Sequence, residues 1–353
     1  MPLEGIRGGS EQVKSYKTSQ AKRIIKLDSN ENLFLPKEFM QEIIVEAAGI
    51  CDPRLYPQEE TTILKEAIAE ALRVQPGQIV VASGGDQVIE LLISNILGAG
   101  DEVVAVSPTF SMYPWFAAAR RLRYKPVELG PGFALEPAKT LEAVSPETGM
   151  IVVCNPNNPT GNQFKMEAVL ELVDGFSGPV LVDEAYAEYG EYSLSGEAAD
   201  RENLIILRTF SKAYGLAGMR LGYAVANTGL AKTLNEEYLP PFPVSNLTLW
   251  AGIGMLRNSG KVEAAVHEAK EERRRLIEAL NRLPGVQAFP SEANFVLFAT
   301  EKPHTEIYNG VKRHGVLVRS IGKVPGHNDC LRVTVAPREE AAMFLDAMKE
   351  VMK

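Results

Sequence analysis

A chain of 353 residues, 45% hydrophobic and 23% charged, carries enough apolar material for one large core and a second smaller one, which excludes disorder as its default state. A net charge of −8 argues against a nucleic-acid partner, since neutralising phosphates takes clustered Lys and Arg, and the runs Arg120-Arg-Leu-Arg123 and Arg273-Arg-Arg275 are short solvated faces. Three scattered cysteines and four histidines without ligand spacing predict no disulfide framework and no metal; no apolar run nears the roughly 20 residues of a membrane helix and the N-terminus lacks a signal-peptide core, so a cytoplasmic protein with no membrane partner is expected.

Residues 1 to 26 read as an N-terminal arm, Gly- and Lys-rich over the first 23, whose order depends on packing against something else. The short apolar run Ile24-Ile-Lys-Leu27 leads into the turn formers Asp28-Ser-Asn-Glu-Asn32. Helical spacing covers Lys37 to Ala48. Arg54-Leu-Tyr-Pro57 then breaks the chain, because a residue before proline is pushed out of the αR region, and this leaves Tyr56 in an extended loop, where a lone Tyr-Pro signals packing. Thr61 to Arg73 reads as an amphipathic helix with Leu64 and Ile68 on its apolar side. Next come a strand at Gln78 to Ala82, a tight turn at Ser83-Gly-Gly-Asp86 and a helix at Gln87 to Leu97. Glycines ahead of a helix N-terminus allow an anion to approach free N–H groups, although a plain strand-to-helix turn has the same look.

Strands are expected at Asp101 to Val106, Lys125 to Leu129, Met150 to Cys154, Pro179 to Val182 and Leu204 to Leu207, with helices through Arg121 and at Phe164 to Val173. Loops rich in turn formers follow these strands: Pro108-Thr-Phe-Ser-Met-Tyr113, Asn155-Pro-Asn-Asn-Pro-Thr-Gly161, Asp183-Glu-Ala-Tyr186 and Thr209 to Gly222. In the last, Ser211, Gly215, Ala217 and Gly218 keep the backbone thin enough for a flat ligand, and Lys212 is a candidate amine for condensation with an aldehyde. Alternation of strands and helices over 78 to 226 implies an α/β fold with a mostly parallel, doubly wound sheet, its site at the strand C-termini. After Pro240-Pro-Phe-Pro243 the pattern changes to helices at Leu247 to Arg257 and Lys261 to Arg282, then strands at Asn294 to Ala299, Gly315 to Arg319 and Cys330 to Val335, with helical spacing at Thr305 to His314 and Glu339 to Lys353. The expected division is a large domain over 51–239 and a smaller α+β domain over 240–353, to which 27–50 contributes the N-terminal part.

The run Ser211-Lys-Ala-Tyr-Gly-Leu-Ala-Gly-Met-Arg-Leu-Gly222 resembles the lysine loop of fold-type-I, class I and II aminotransferases, which use pyridoxal 5'-phosphate, and is most similar to their histidinol-phosphate branch. Asn30-Glu-Asn32 resembles that branch's N-terminal signature, with Leu33-Phe-Leu-Pro36 in place of its usual continuation. The resemblance covers roughly residues 24 to 350. It implies that Lys212 holds the cofactor aldehyde and moves the proton between substrate Cα and cofactor C4′. Asp183 would pair with the pyridine nitrogen, and Tyr186 and Asn158 with the phenolic oxygen. The phosphate would sit among the backbone of Gly84, Gly85 and Asp86, the hydroxyls of Thr209 and Ser211, and Arg220. Phe110 falls where a tyrosine commonly stacks on the ring.

For the substrate, the resemblance implies Arg332, in Leu331-Arg-Val-Thr-Val335, and Arg319 as a pair suited to a dianion, with Arg338 a nearby alternative. Tyr56 is assigned to the cofactor and substrate site of the neighbouring subunit of a homodimer with shared active sites, and Tyr16 of the arm to the substrate. The implied reaction joins L-histidinol phosphate, a phosphorylated amino alcohol, with a 2-oxo acid, 2-oxoglutarate, in histidine biosynthesis. Departures at Leu33, Gln58 and Ala336-Pro337 bear on the substrate more than on the cofactor. Another class I/II aminotransferase, a threonine-phosphate decarboxylase and a non-catalytic pyridoxal-phosphate-sensing domain stay open; the last normally carries a DNA-binding domain, for which residues 1 to 23 are too short.

Overall fold

Strands that are apolar on both faces build the sheet that carries the site. The computed structural model describes residues 24–353, so the arm residue Tyr16 lies outside the described residues. The seven-stranded sheet runs Ile79–Ala82, Gly222–Val225, Leu204–Thr209, Val180–Asp183, Thr148–Cys154, Glu102–Ser107, Arg123–Glu128. Every residue of Val180–Asp183 and Leu204–Thr209 is buried, the continuous run that a helix-covered parallel sheet demands. Side chains alternate between two cores: Val81, Val153, Val182 and Ile206 face one, Val80, Val152, Leu181 and Ile205 the other.

The strand Gly222–Val225, which the alternation pattern does not reveal, is antiparallel to both neighbours. No α-helix spans the loop from Phe210 to Leu221, so the chain lacks the crossover that a parallel return requires. The reversal has a direct effect on the site. This strand starts at the edge where Leu204–Thr209 ends, which returns Arg220 to the side of the sheet that carries Lys212. Ile79–Ala82, reversed again, also ends there and delivers Gly84. A Cβ on Gly222 would lie 2.6 Å from the carbonyl carbon of Gly84, so the two backbones are in contact.

The expected tight turn at Ser83–Asp86 is instead the first turn of the helix Gly84–Ile96. Gln87 Oε1 accepts from the Ser83 N–H at 2.6 Å, which anchors the chain one turn earlier than the hydrophobic periodicity starts. Helix Lys37–Ile50 buries Phe39, Ile43 and Ala47 in the core that also holds Leu64, Leu249 and Ile253. Ser245 caps the helix Asn246–Arg257 by accepting from the Thr248 N–H at 3.3 Å.

A four-stranded antiparallel sheet, in the order Arg319–Val324, His327–Thr334, Phe295–Thr300, Val286–Ala288, has its own core of Val296, Phe298, Leu331 and Val333 against Ile307, Val311, Phe344 and Met348. The strand expected at Gly315 to Arg319 divides. Val316–Leu317 pairs in parallel with Ile25–Lys26, while Arg319 opens a hairpin strand that turns back through Pro325 and Gly326. Ser320-Ile-Gly-Lys323 is too polar and glycine-bearing to stand out as a strand; the Pro-Gly pair, with Gly326 at φ +78°, is its turn signal.

Candidate active site

Loops from the strand C-termini converge on a cavity lined by Gly85, Asp86, Phe110, Asn158, Asp183, Tyr186, Thr209, Ser211, Lys212 and Arg220, which brings together the residues expected around a cofactor except Gly84, beside the lining, and Tyr56. Asp183 is fixed from two sides. Its Oδ2 accepts from the Tyr113 hydroxyl at 2.7 Å and its Oδ1 from the Ala185 N–H at 3.0 Å. Burial pushes its carboxyl up to about 6, against the opposing pull of the Tyr113 hydrogen bond. A charge buried in this way calls for a cation opposite.

Lys212 extends from its loop so that Nζ donates to the Ser29 carbonyl at 3.1 Å and lies 5.6 Å from the Tyr186 ring centroid. Burial first, then the Arg332 charge, lower its ammonium to about 8, with Glu31 and Asp183 opposing. A neutral, nucleophilic amine is therefore available well below the usual lysine range. The Tyr186 hydroxyl accepts from Asn30 Nδ2 at 3.0 Å and Asn158 Nδ2 at 3.5 Å, and burial holds it protonated.

Arg220 adopts a left-handed backbone (φ +52°), Nη2 3.0 Å from Asp86 Oδ2 and Nη1 donating to the Ala217 carbonyl at 3.2 Å. A Cβ at Gly84, itself at φ +80°, would meet Arg220 Nη2 at 2.8 Å. The left-handed φ favours glycine here, the missing Cβ lets the guanidinium lie across the helix N-terminus, and the two form an anion cradle. Thr209 Oγ1, buried below, donates to the Leu221 carbonyl at 3.2 Å and accepts from the Ser211 N–H at 3.1 Å. Cradle, amine and buried carboxylate fit a flat anionic ring carrying an aldehyde and a basic nitrogen.

A second cavity shares Phe110, Asn158, Tyr186 and Lys212 with the first and adds Asp28, Ser29, Asn30, Arg319, Lys323 and Arg332. Arg319 and Arg332 are register partners on adjacent antiparallel strands, so their side chains share a face. Like charges in that relation are destabilising unless an anion joins them. Arg332 Nη1 donates to Asn158 Oδ1 and Nη2 to the Asp28 carbonyl at 2.7 Å, with its guanidinium 5.2 Å from the Phe295 ring. Arg338, the alternative guanidinium, starts the helix Arg338–Met352 and lines neither cavity.

Tyr56 is not brought to its own chain's Lys212. It is 71% exposed and stacks on Phe242, centroids 4.7 Å apart, in a separate groove with Leu55 and Val244. Sequence reasoning did not single out Tyr113 or Lys323 as site residues. Tyr113 meets Asp183 across 70 positions of chain, a separation no local signal spans. Among the described residues, no group of three His, Cys, Asp or Glu side chains is placed to hold a metal ion, and no helix is long and apolar enough to cross a membrane.

An open α/β sheet presenting an amine of lowered basicity between an anion cradle and a pair of arginines is the architecture of an amine-handling enzyme. The chain belongs to the class I and II aminotransferases, whose family model matches residues 22–348. It is 34% identical over 351 residues to histidinol-phosphate aminotransferase of Thermoanaerobacter sp. (strain X514), covering 97% of this chain and 98% of that one. It is 38% identical over 299 residues to histidinol-phosphate aminotransferase of Bacteroides fragilis (strain ATCC 25285), covering 84% and 86%. Among solved structures it is similar to histidinol-phosphate aminotransferase from Sinorhizobium meliloti in complex with pyridoxal-5'-phosphate, with a TM-score of 0.86 and 27% identity over 94% of this chain and 92% of that one.

Proposed function

We propose that this aminotransferase binds pyridoxal 5'-phosphate and moves the amino group of L-histidinol phosphate to 2-oxoglutarate, a step of histidine biosynthesis, as a cytoplasmic homodimer. The observation that carries the reading is the placement of Lys212 where two cavities meet, one ending in the Arg220–Gly84 cradle and the other in the Arg319–Arg332 pair. The cofactor, when bound, supplies an electron sink. Asp183 holds its ring nitrogen protonated, and Tyr186 and Asn158 bond its phenolic oxygen. Arg220, Thr209, Ser211 and the N–H groups at Gly84, Gly85 and Asp86 would hold its phosphate, and Phe110 would supply an aromatic surface for its ring. Lys212 Nζ accepts the proton from substrate Cα. Arg319 and Arg332 hold the anion at the far end of the donor. The separate core of the four-stranded sheet supports a small domain within 27–50 and 240–353 beside a large domain over 51–239, while the helices Lys37–Ile50 and Asn246–Arg257, which those bounds give to the small domain, pack into the large core.

The test mixes the cofactor-loaded protein with L-histidinol phosphate, L-histidinol, aromatic amino acids and L-threonine phosphate and follows conversion of the cofactor to its amine form. Two charge-assisted contacts of about 1.5–3 kcal/mol each place kcat/KM for L-histidinol phosphate at least about 100-fold above L-histidinol. Equal rates for those two donors would reject the assignment; carbon dioxide release from L-threonine phosphate would favour the decarboxylase.

Exposed Leu55, Tyr56 and Phe242 form an apolar patch of the kind a second subunit covers, which supports sharing of Tyr56 across the dimer. In a heterodimer of one Lys212→Ala chain with one Tyr56→Phe chain, one site then carries both defects and the other neither, so about half the wild-type activity per dimer returns. Recovery no higher than the Tyr56→Phe homodimer, in a background where that variant is strongly impaired, contradicts the shared site.

A further inference from the structure

The hairpin that carries Arg319 turns another cation toward the substrate cavity. In a regular strand Arg319, Ile321 and Lys323 face one side and Ser320 the other. Here Ser320 opposes Leu331 while Gly322 opposes Cys330, which makes Ile321 an extra residue, and a second irregularity separates Gly322 from Val324. Gly322 takes φ +81°, a left-handed value that the bulge requires and that other residues adopt at a cost. As a result Arg319, Ser320, Ile321 and Lys323 all line the cavity shared with Lys212 and Arg332. Bulges beside sites commonly re-aim a side chain in this way.

Lys323 is exposed and, among the described residues, has neither an ion pair nor a side-chain hydrogen bond. Asp28 is the single carboxylate on that lining among the described residues, so the cavity is strongly positive in a protein whose net charge is −8. Two arginine forks direct at most four donors at the three terminal oxygens of a phosphate monoester, each of which accepts two or more, and Arg332 already donates to Asn158 and the Asp28 carbonyl, so acceptor sites remain for a third cation. A lysine on a flexible stem suits those remaining sites, because it acts as a point charge and needs no fixed orientation.

We propose that Lys323 is a specificity-determining residue for the terminal anion of the amino donor, completing with Arg319 and Arg332 a three-cation site for a phosphate monoester dianion. The proposal rests on the reading of this site as one for a phosphorylated amino alcohol. Lys323→Met in the holoenzyme raises KM for L-histidinol phosphate about tenfold, as expected for one solvent-accessible charge-assisted contact. The loss falls on KM, with kcat moving far less, and KM for L-histidinol stays within about twofold. Lys323→Arg restores most of the affinity. In parallel, calorimetric titration of the holoenzyme with inorganic phosphate shows binding weakened about tenfold in Lys323→Met; the cofactor occupies the other cradle, so this reports on the substrate cavity. If the wild-type enzyme does not turn over L-histidinol phosphate, the functional reading fails and the inorganic-phosphate titration alone decides the role of Lys323. Phosphate binding unchanged in Lys323→Met, or a KM rise equal for phosphorylated and unphosphorylated donors, overturns the proposal.

Discussion

Lys212→Ala is expected to lower transamination by at least about 10⁴-fold, the upper range for loss of a positioned acid–base group, and to abolish covalent cofactor attachment altogether. Among the described residues Lys212 is the one amine that lines both cavities. The cradle at Gly84 and Arg220 and the carboxylate of Asp183 are built without it, so the variant should still take up pyridoxal 5'-phosphate. Borohydride reduction followed by mass spectrometry should find the cofactor mass on the Lys212 peptide of the wild type and nowhere on the variant, while gel filtration shows both proteins carrying cofactor. Small primary amines in the buffer should restore part of the rate. Covalent attachment to wild-type apoprotein should accelerate as pH rises through about 8, where the folded amine loses its proton, and not near 10.5 as for an ordinary lysine. Near-normal turnover in Lys212→Ala, or attachment elsewhere, would remove Lys212 from its role.

The second large effect is at Asp183, where activity and stability should move in opposite directions. Asp183→Asn removes the charge proposed to face the ring nitrogen, and loss of one preorganised electrostatic partner is worth about 10²–10³ in rate. The same change should stabilise the cofactor-free protein. The folded carboxyl is raised from 3.8 to about 6, so the native state holds its proton more tightly than the unfolded chain does. Below about pH 4 both states are protonated and asparagine gains nothing. Between about 4 and 6 the unfolded chain releases its proton first and wild-type stability falls; above 6 the full penalty of about 3 kcal/mol is present, roughly two pH units at 1.36 kcal/mol each. Urea unfolding of the apoproteins at pH 7.5 and pH 4 measures this directly. A stability difference of the same size at both pH values would mean that the carboxylate's ionisation is not its source.

Lys212, Asp183 and Asn158 were legible in the sequence for one physical reason: each lies at the end of a strand whose unbroken apolar run marks it as central, so each must emerge at the same edge, whereas Gly84 follows Ile79–Ala82, equally apolar but at the border of the sheet. What was hidden depends on contacts between distant segments. Nothing local to Tyr113 tells of its bond to Asp183. The reversal of Gly222–Val225 follows from the missing crossover helix, which is an absence and not a motif, and the start of helix Gly84–Ile96 depends on the Gln87 side chain reaching back to Ser83. The bulge at Ile321 requires knowing the register against Leu331 and Cys330, and the strand that contains it reads as a loop.

Asn158 has a consequence for how this protein can drift over generations. Its Nδ2 donates to the Tyr186 hydroxyl while its Oδ1 accepts from Arg332, so a single side chain faces an acceptor in one cavity and a donor in the other. Aspartate keeps the acceptor and loses the donor, leucine offers neither, and glutamine reaches one methylene too far for both. None of these substitutions reproduces the pair, so a lineage altering Asn158 leaves Tyr186 to Asn30, Arg332 to the Asp28 carbonyl, or both. Phe110 lines the cavity with a side chain that has no hydrogen bond to satisfy, so other aromatics can take its place. Two residues lining one cavity therefore have very different mutational horizons, set by how many bonding partners each side chain must satisfy.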